Sequence, residues 1–131
     1  MGKFRDLMLQ DLQIRGYTPA TCDRYTKCVS YFVRFLRRAP DAATLDDIRR
    51  YQIHLTERKV AWSTFNQSVC AIRFFYRITL HREWDVRLIP YQRRGRRLPE
   101  VFSEQEILAL FEATKNPRYR AAFMTIYAAG L

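Results

Sequence analysis

Five residues of the stretch "RYTKCVSYFVRFLRR" recur at helical spacing. Arg24, Lys27, Tyr31, Arg34 and Arg38 follow one another by three, four, three and four positions. Residues so spaced lie on one face of a helix, so the series predicts a cationic stripe with one aromatic inside it and no acid among its members. Tyr25, Val29, Phe32 and Leu36 fall on the opposite, apolar side. Like charges stacked this way repel, and an anion laid along them relieves that repulsion. A later stretch, "WSTFNQSVCAIRFFYRITL", repeats the theme. Asn66, Arg73 and Arg77 line up with Cys70, and Ser63, Thr64 and Gln67 stand near the start of the helix. Amide side chains suit base edges, arginines suit phosphate or guanine, and a helix start offers free N–H groups to an anion. A third cationic feature is Arg93, Arg94, Arg96 and Arg97 around Gly95, fit to track a nucleic-acid backbone in extended form. The plain alternative for each is a solvated polar face.

Composition points the same way. Lys and Arg number 23 against 13 Asp and Glu, a net charge of +10, which favours an anionic partner. Apolar residues make up 48% of the chain, enough for a packed core. Cys22, Cys28 and Cys70 are odd in number and lack CxxC spacing, so neither a zinc site nor a disulfide framework is expected. His54 and His81 are isolated, and no cofactor or small-molecule ligand is expected. There is no Gly-rich phosphate loop, no HExxH and no GxSxG, so no catalytic residue is assigned. No apolar run approaches the ~18 residues of a membrane span, and the cytoplasm, with association to the nucleoid when bound, is the expected location.

The elements that must hold these residues read as all-α. Helix one is expected over Lys3–Arg15, with Phe4, Leu7, Met8 and Leu12 inward and Gly16 as its stop. Helix two opens at Thr18 and Pro19 and runs to Arg38. Helix three opens at Thr44, with Asp47 completing a capping box, and turns Ile48, Tyr51 and Leu55 inward. Arg58 and Lys59 complement its negative end. Helix four is expected to start with Ser63 as cap and to run to Leu80, with Phe65, Val69, Ile72 and Tyr76 as its inner stripe. Residues 1–82 thus form a four-helix domain. Residues 83–100, with two prolines and dense arginine, read as a basic linker. Residues 101–131 carry two further helices, the first opened by Ser103 and Glu106 and the second by Asn116 and Pro117.

Taken in order, "TPATCDRYTKCVSYFVRFLRR", "TLDDIRRYQIHLTERK", "WSTFNQSVCAIRFFYRITL" and "RRLPEVFSEQEILALFEATKNPRYRAAFMTIYAAGL" resemble the front half of a tyrosine recombinase, or phage integrase. The most distinctive residues are Thr64, Phe65 and Asn66, then Phe74, Phe75 and Tyr76, then Leu98 and Pro99 before Ser103 and Glu104, and Tyr127 to Leu131. The resemblance implies a SAM-like orthogonal four-helix core-binding domain that forms half of a clamp on double-stranded DNA, with helices two and four toward the major groove. It also implies other recombinase protomers as partners. It implies a second domain that cleaves DNA through a 3′-phosphotyrosyl link, whose first arginine follows a Y-x-x-G-L segment. The chain ends at Leu131, so a truncated catalytic domain is expected, and Tyr127 corresponds to a structural tyrosine rather than the nucleophile. Two other readings stand beside this one: a helical module that pairs with itself or with a full-length recombinase, and a basic RNA-binding protein.

Overall fold

A computed structural model describes residues 2–96 and 98–130. Among them there are helices and turns and no strand, in the order α1 (Gly2–Ile14), α2 (Pro19–Leu36), α3 (Leu45–Glu57), α4 (Trp62–Phe74), α5 (Glu104–Ala113) and α6 (Pro117–Ala128). The chain divides into two compact units between Arg94 and Gly95.

Local signals set most of the helix ends in the first unit. Gly16, at φ 74°, closes α1, and the Tyr17 N–H reaches back to the Leu12 carbonyl at 3.1 Å. That six-residue return bond is the usual way a glycine satisfies orphan helix carbonyls. Thr18 accepts from the Thr21 N–H at 3.3 Å and Pro19 takes the first helical position of α2. The helix ends at Leu36, two residues earlier than expected, because Arg37 turns left-handed at φ 55°. Thr44 and Asp47 form the capping box of α3. Ser63, by contrast, does not cap α4. Lys59 is left-handed (φ 52°) and the Val60 N–H returns to Leu55, so the chain enters the next helix at once. Ala61 precedes the first turn, with no side-chain cap, and Ser63 is already inside it.

The core is built where α2 packs on α4, flanked by α1 and α3. Met8, Leu12, Val29, Phe32, Ile48, Val69, Ile72, Phe75 and Tyr76 are essentially solvent-free. Leu7, expected inward, is 39% exposed, because the buried stripe of α1 follows Met8 and Leu12. After Phe74 the helix widens to five-residue turns over Phe75–Thr79. Phe75 and Tyr76, consecutive at its start, both face the core. The Tyr76 hydroxyl donates to the Pro40 carbonyl at 2.8 Å, and the Thr79 hydroxyl to Asp11 Oδ2 at 2.8 Å. Phe74, at the edge of the polar side, packs against Tyr17 and Tyr25.

Residues 84–92, expected as linker, lie on the bundle. Trp84 stacks on Tyr76 with centroids 4.8 Å apart, and Ile89 is 2% exposed. The segment contains one short 3-10 turn at Val86–Leu88. Its apolar residues nevertheless find the core, because a domain this small has little other apolar surface to bury.

The second unit holds α5 and α6. Ser103 and Glu106 make the expected reciprocal cap, and Asn116 caps α6 with Pro117 next. Phe111 and Tyr127 meet edge to face at 6.1 Å. None of its described residues is buried.

Candidate nucleic-acid interface

Because α2 and α4 pack closely, the outer edge of α2 faces the first turn of α4 across the end of α3. Between them lies an open groove of ≈ 560 Å³. Tyr31 and Arg34 come to it from α2, His54 and Arg58 from α3, and Thr64 and Ser68 from α4. Tyr31, Arg34, Arg58 and Thr64 are exposed. Its floor is apolar: Phe35 lies 5.2 Å from Tyr51 and 4.9 Å from His54, centroid to centroid. Burial pushes the Tyr51 phenol up to about 12, so it stays neutral at the base of the groove. The first turn of α4 begins here with its N–H groups uncapped by any side chain. Such a turn favours anions through its free donors and its partial positive charge.

Arg58 belongs to this site and was not anticipated as a ligand-facing residue. In the sequence it explains itself as the cationic end of α3. The only signal to the contrary is the short turn that joins α3 to α4, which must bring the end of one helix beside the start of the next.

The rest of the α2 stripe divides. Arg24 is exposed and Lys27 pairs with Asp23 at 2.8 Å, both side chains more than half in solvent. An exposed pair of this kind holds weakly and leaves the ammonium available. Arg38 instead turns to Asp47, as does Arg50 from the other side. The Asp47 carboxylate is 1% exposed. Burial pushes its pKa up, but hydrogen bonds from the Thr44 N–H and hydroxyl and from the two arginines outweigh that and hold it down at about 2. The stripe is therefore not free of acids in space. Asp47, nine residues on from Arg38, reaches its end because the chain folds back between α2 and α3.

The polar face of α4 divides as well. Ser63 and Thr64 are exposed and Gln67 is half-buried. Asn66 and Arg73 turn onto the segment after the bundle. The Asn66 amide donates to the Gln92 carbonyl at 2.9 Å and accepts from the Gln92 N–H at 2.7 Å. Arg73 donates to the Ile89 carbonyl through Nε at 2.8 Å and through a terminal nitrogen, and its guanidinium lies 4.1 Å from the centre of the Tyr91 ring. These two side chains have structural partners within the protein. Arg77 is exposed but lines a different cleft, with Arg82, Glu83 and Asp85. It lies roughly 20 Å along the helix from Thr64 at about 1.5 Å per residue.

Of the arginine run, Arg93 is exposed and Arg94 lies over the Trp62 ring at 5.5 Å, beside the first turn of α4. Arg96 is exposed in the second unit, and Arg97 lies outside the described residues. Among the described residues no group of three or more His, Cys, Asp or Glu is placed to hold a metal ion. None of their helices is long and apolar enough to cross a membrane.

Comparisons with known proteins agree with this architecture. A family model described as phage integrase, N-terminal SAM-like domain, matches residues 4–86. A Sinorhizobium fredii protein carrying the name integrase/recombinase y4qK is 33% identical over 133 residues, which cover 100% of this chain and 43% of that protein. A Bacillus pumilus protein named tyrosine recombinase XerC is 26% identical over 139 residues, covering 95% of this chain and 46% of its own length. The chain thus spans less than half the length of these curated relatives. In a solved structure of XerA recombinase the same fold recurs, with a TM-score of 0.60 at 22% identity, over 86% of this chain and 40% of that one. With the match running through all four helices of the bundle, this chain belongs to the phage integrase N-terminal SAM-like domain family.

Proposed function

We propose that this chain binds double-stranded DNA as the core-binding half of a tyrosine site-specific recombinase, acting in DNA recombination and integration. The observation that carries the reading is the meeting of Tyr31, Arg34, Arg58 and Thr64 around one open groove at the uncapped start of α4. A chain of net charge +10 presents there two guanidiniums, one phenol, one hydroxyl and helix N–H donors. This set suits phosphates flanking a duplex groove, and a helix start is narrow enough to enter the major groove, ~12 Å wide. The names of the relatives support the same reading. In it the chain supplies binding, and strand cleavage falls to the rest of a full-length recombinase.

Fluorescence anisotropy with labelled duplex DNA tests it. Binding is expected to fall steeply with salt, log K changing by about 0.9 per log unit of salt for each phosphate contact. Single-stranded and double-stranded RNA competitors of equal length are expected to compete less well. A flat salt dependence, or equal competition by RNA, would sink the assignment to duplex DNA.

A second reading, pairing with itself or another recombinase protomer, is favoured by one observation. In the second unit Leu108 is 59% exposed and Tyr127 54%, with Leu110, Phe123 and Ile126 also open. Apolar side chains left open in this number are available for contact with another chain. Sedimentation velocity at rising concentration is expected to show a dimer if this surface drives association, and a monomer throughout removes self-pairing.

A further inference from the structure

Asn66 and Arg73 point away from solvent and into the backbone of residues 89–92. Those four residues are fixed by more than these two side chains. Ile89 is seated in the core, the Gln52 amide donates to the Pro90 carbonyl at 3.0 Å, and the Cys70 thiol donates to the Tyr91 hydroxyl at 3.4 Å. Asn66 satisfies both the N–H and the carbonyl of Gln92, the pairing a neighbouring β-strand would otherwise provide. It therefore sets both the position and the direction of the chain at residue 92. The next two residues are Arg93 and Arg94, and Arg94 comes to rest over Trp62, the first residue of α4. Thr64, two residues on and on the other side of the same first turn, lines the cationic groove.

We propose that residues 84–92 form a strap whose purpose is to deliver Arg93 and Arg94 to the start of α4, and that Asn66 and Arg73 are the positioning residues that hold it. The inference rests on the duplex-DNA reading and deepens it. The polar face of α4 is used in two ways: its first turn meets phosphate, while its middle anchors the strap and reads no bases. Arg93 and Arg94 then bring positive charge to the Trp62 side of the first turn of α4, across the helix from Thr64, with their backbone already ordered. Ordering two arginine-bearing residues in advance removes part of the entropy that binding would otherwise cost.

The experiment is a double-mutant cycle in duplex binding. Arg93→Ala/Arg94→Ala alone is expected to weaken binding about tenfold and to lower the salt slope by roughly 1.8, two phosphate contacts at ~0.9 each. In an Asn66→Ala background, the same pair of substitutions is expected to cost no more than about twofold, since the arginines are no longer held where they count. Arg34→Ala is expected to cost the same in both backgrounds. Arg73→Lys provides the second anchor variant. It keeps the charge, loses the two-nitrogen grip on Ile89, and is expected to reduce the effect of the arginine pair in the same direction. Trypsin gives a readout that needs no DNA: cleavage after Arg93 and Arg94 is expected to accelerate in Asn66→Ala at a temperature where circular dichroism shows the bundle folded. Equal losses from the arginine pair in wild-type and Asn66→Ala backgrounds overturn the positioning role. Unchanged trypsin cleavage overturns the anchoring. Should wild-type protein show no salt-dependent duplex binding, the delivery role falls with the DNA reading, while the trypsin comparison still decides whether Asn66 holds the strap.

Discussion

Arg34→Ala/Arg58→Ala is expected to weaken duplex binding by about tenfold to a hundredfold and to lower the salt slope by roughly 1.8. Both residues are exposed, line one groove and have no ion-pair partner among the described residues, so each can take a phosphate without first breaking an internal pair. Arg38 is in a different position. Its guanidinium is bound to Asp47, and moving it to phosphate would cost that contact. Arg77→Ala, set against Arg34→Ala and Arg58→Ala taken singly, serves as the control. It removes one positive charge, as each single groove substitution does, but from the cleft shared with Glu83 and Asp85, and a loss of less than about threefold is expected. None of these substitutions opens the core, so the melting temperature should stay within a few degrees of wild type. Titrations at several salt concentrations between about 50 and 200 mM read both affinity and slope. If Arg77→Ala costs as much as Arg34→Ala or Arg58→Ala alone, charge alone matters and the groove has no special part.

Asp47→Asn is expected to destabilise the first unit by about 2–3 kcal/mol, read as a fall in melting temperature of roughly 10 °C or more. One carboxylate does three things here. It accepts from the Thr44 N–H at 2.8 Å, receives the Thr44 hydroxyl at 3.0 Å, and binds Arg38 of α2's end and Arg50 of α3. An amide keeps the shape but cannot accept from four donors at once and carries no charge. The pH dependence follows from the same contacts. The folded-state pKa of about 2 lies below the ordinary 3.8, so the folded state binds this proton less readily than the unfolded state. Stability from Asp47 is therefore present in full above about pH 4 and is lost as pH falls through about 2. Wild-type protein should lose more of its melting temperature than Asp47→Asn between these values. Parallel decline of the two proteins would show that the carboxylate is not the group responsible. Because Asp47 lies outside the groove, the variant should bind duplex DNA, well below its melting temperature, far better than Arg34→Ala/Arg58→Ala does.

The two capping boxes, the Gly16 stop, the Pro19 start and the inner stripes of α2, α3 and α4 were all legible in the sequence. Each rests on residues within about four positions of one another, where hydrogen bonds and helical periodicity leave little choice. The start of α4 was not legible in this way. Ser63 is a good local cap, but the left-handed Lys59 and the return bond from Val60 to Leu55 had already committed the chain to a helix at Trp62. The site shows the same division. Periodicity put Arg24, Lys27, Tyr31, Arg34 and Arg38 on one face, and it could not say which would keep a free charge. Asn66 and Arg73 look alike with Thr64 and Arg77 as polar side chains of one helix, and only the path of residues 84–92 separates them.

By itself, then, the sequence determined the helices, the sign of the charge, the faces that carry it and the family. Tertiary structure decided which of those charges remain open to a partner. The physical reason is that an arginine or an asparagine on a helix face has several partners within reach, at similar free energy in isolation. Burying Ile89 draws backbone carbonyls over the middle of α4, and folding α3 against α2 brings Asp47 to Arg38. A polar group beside buried backbone satisfies that backbone first, since leaving it unpaired costs about 1–3 kcal/mol, while an exposed guanidinium gives up little by waiting in water.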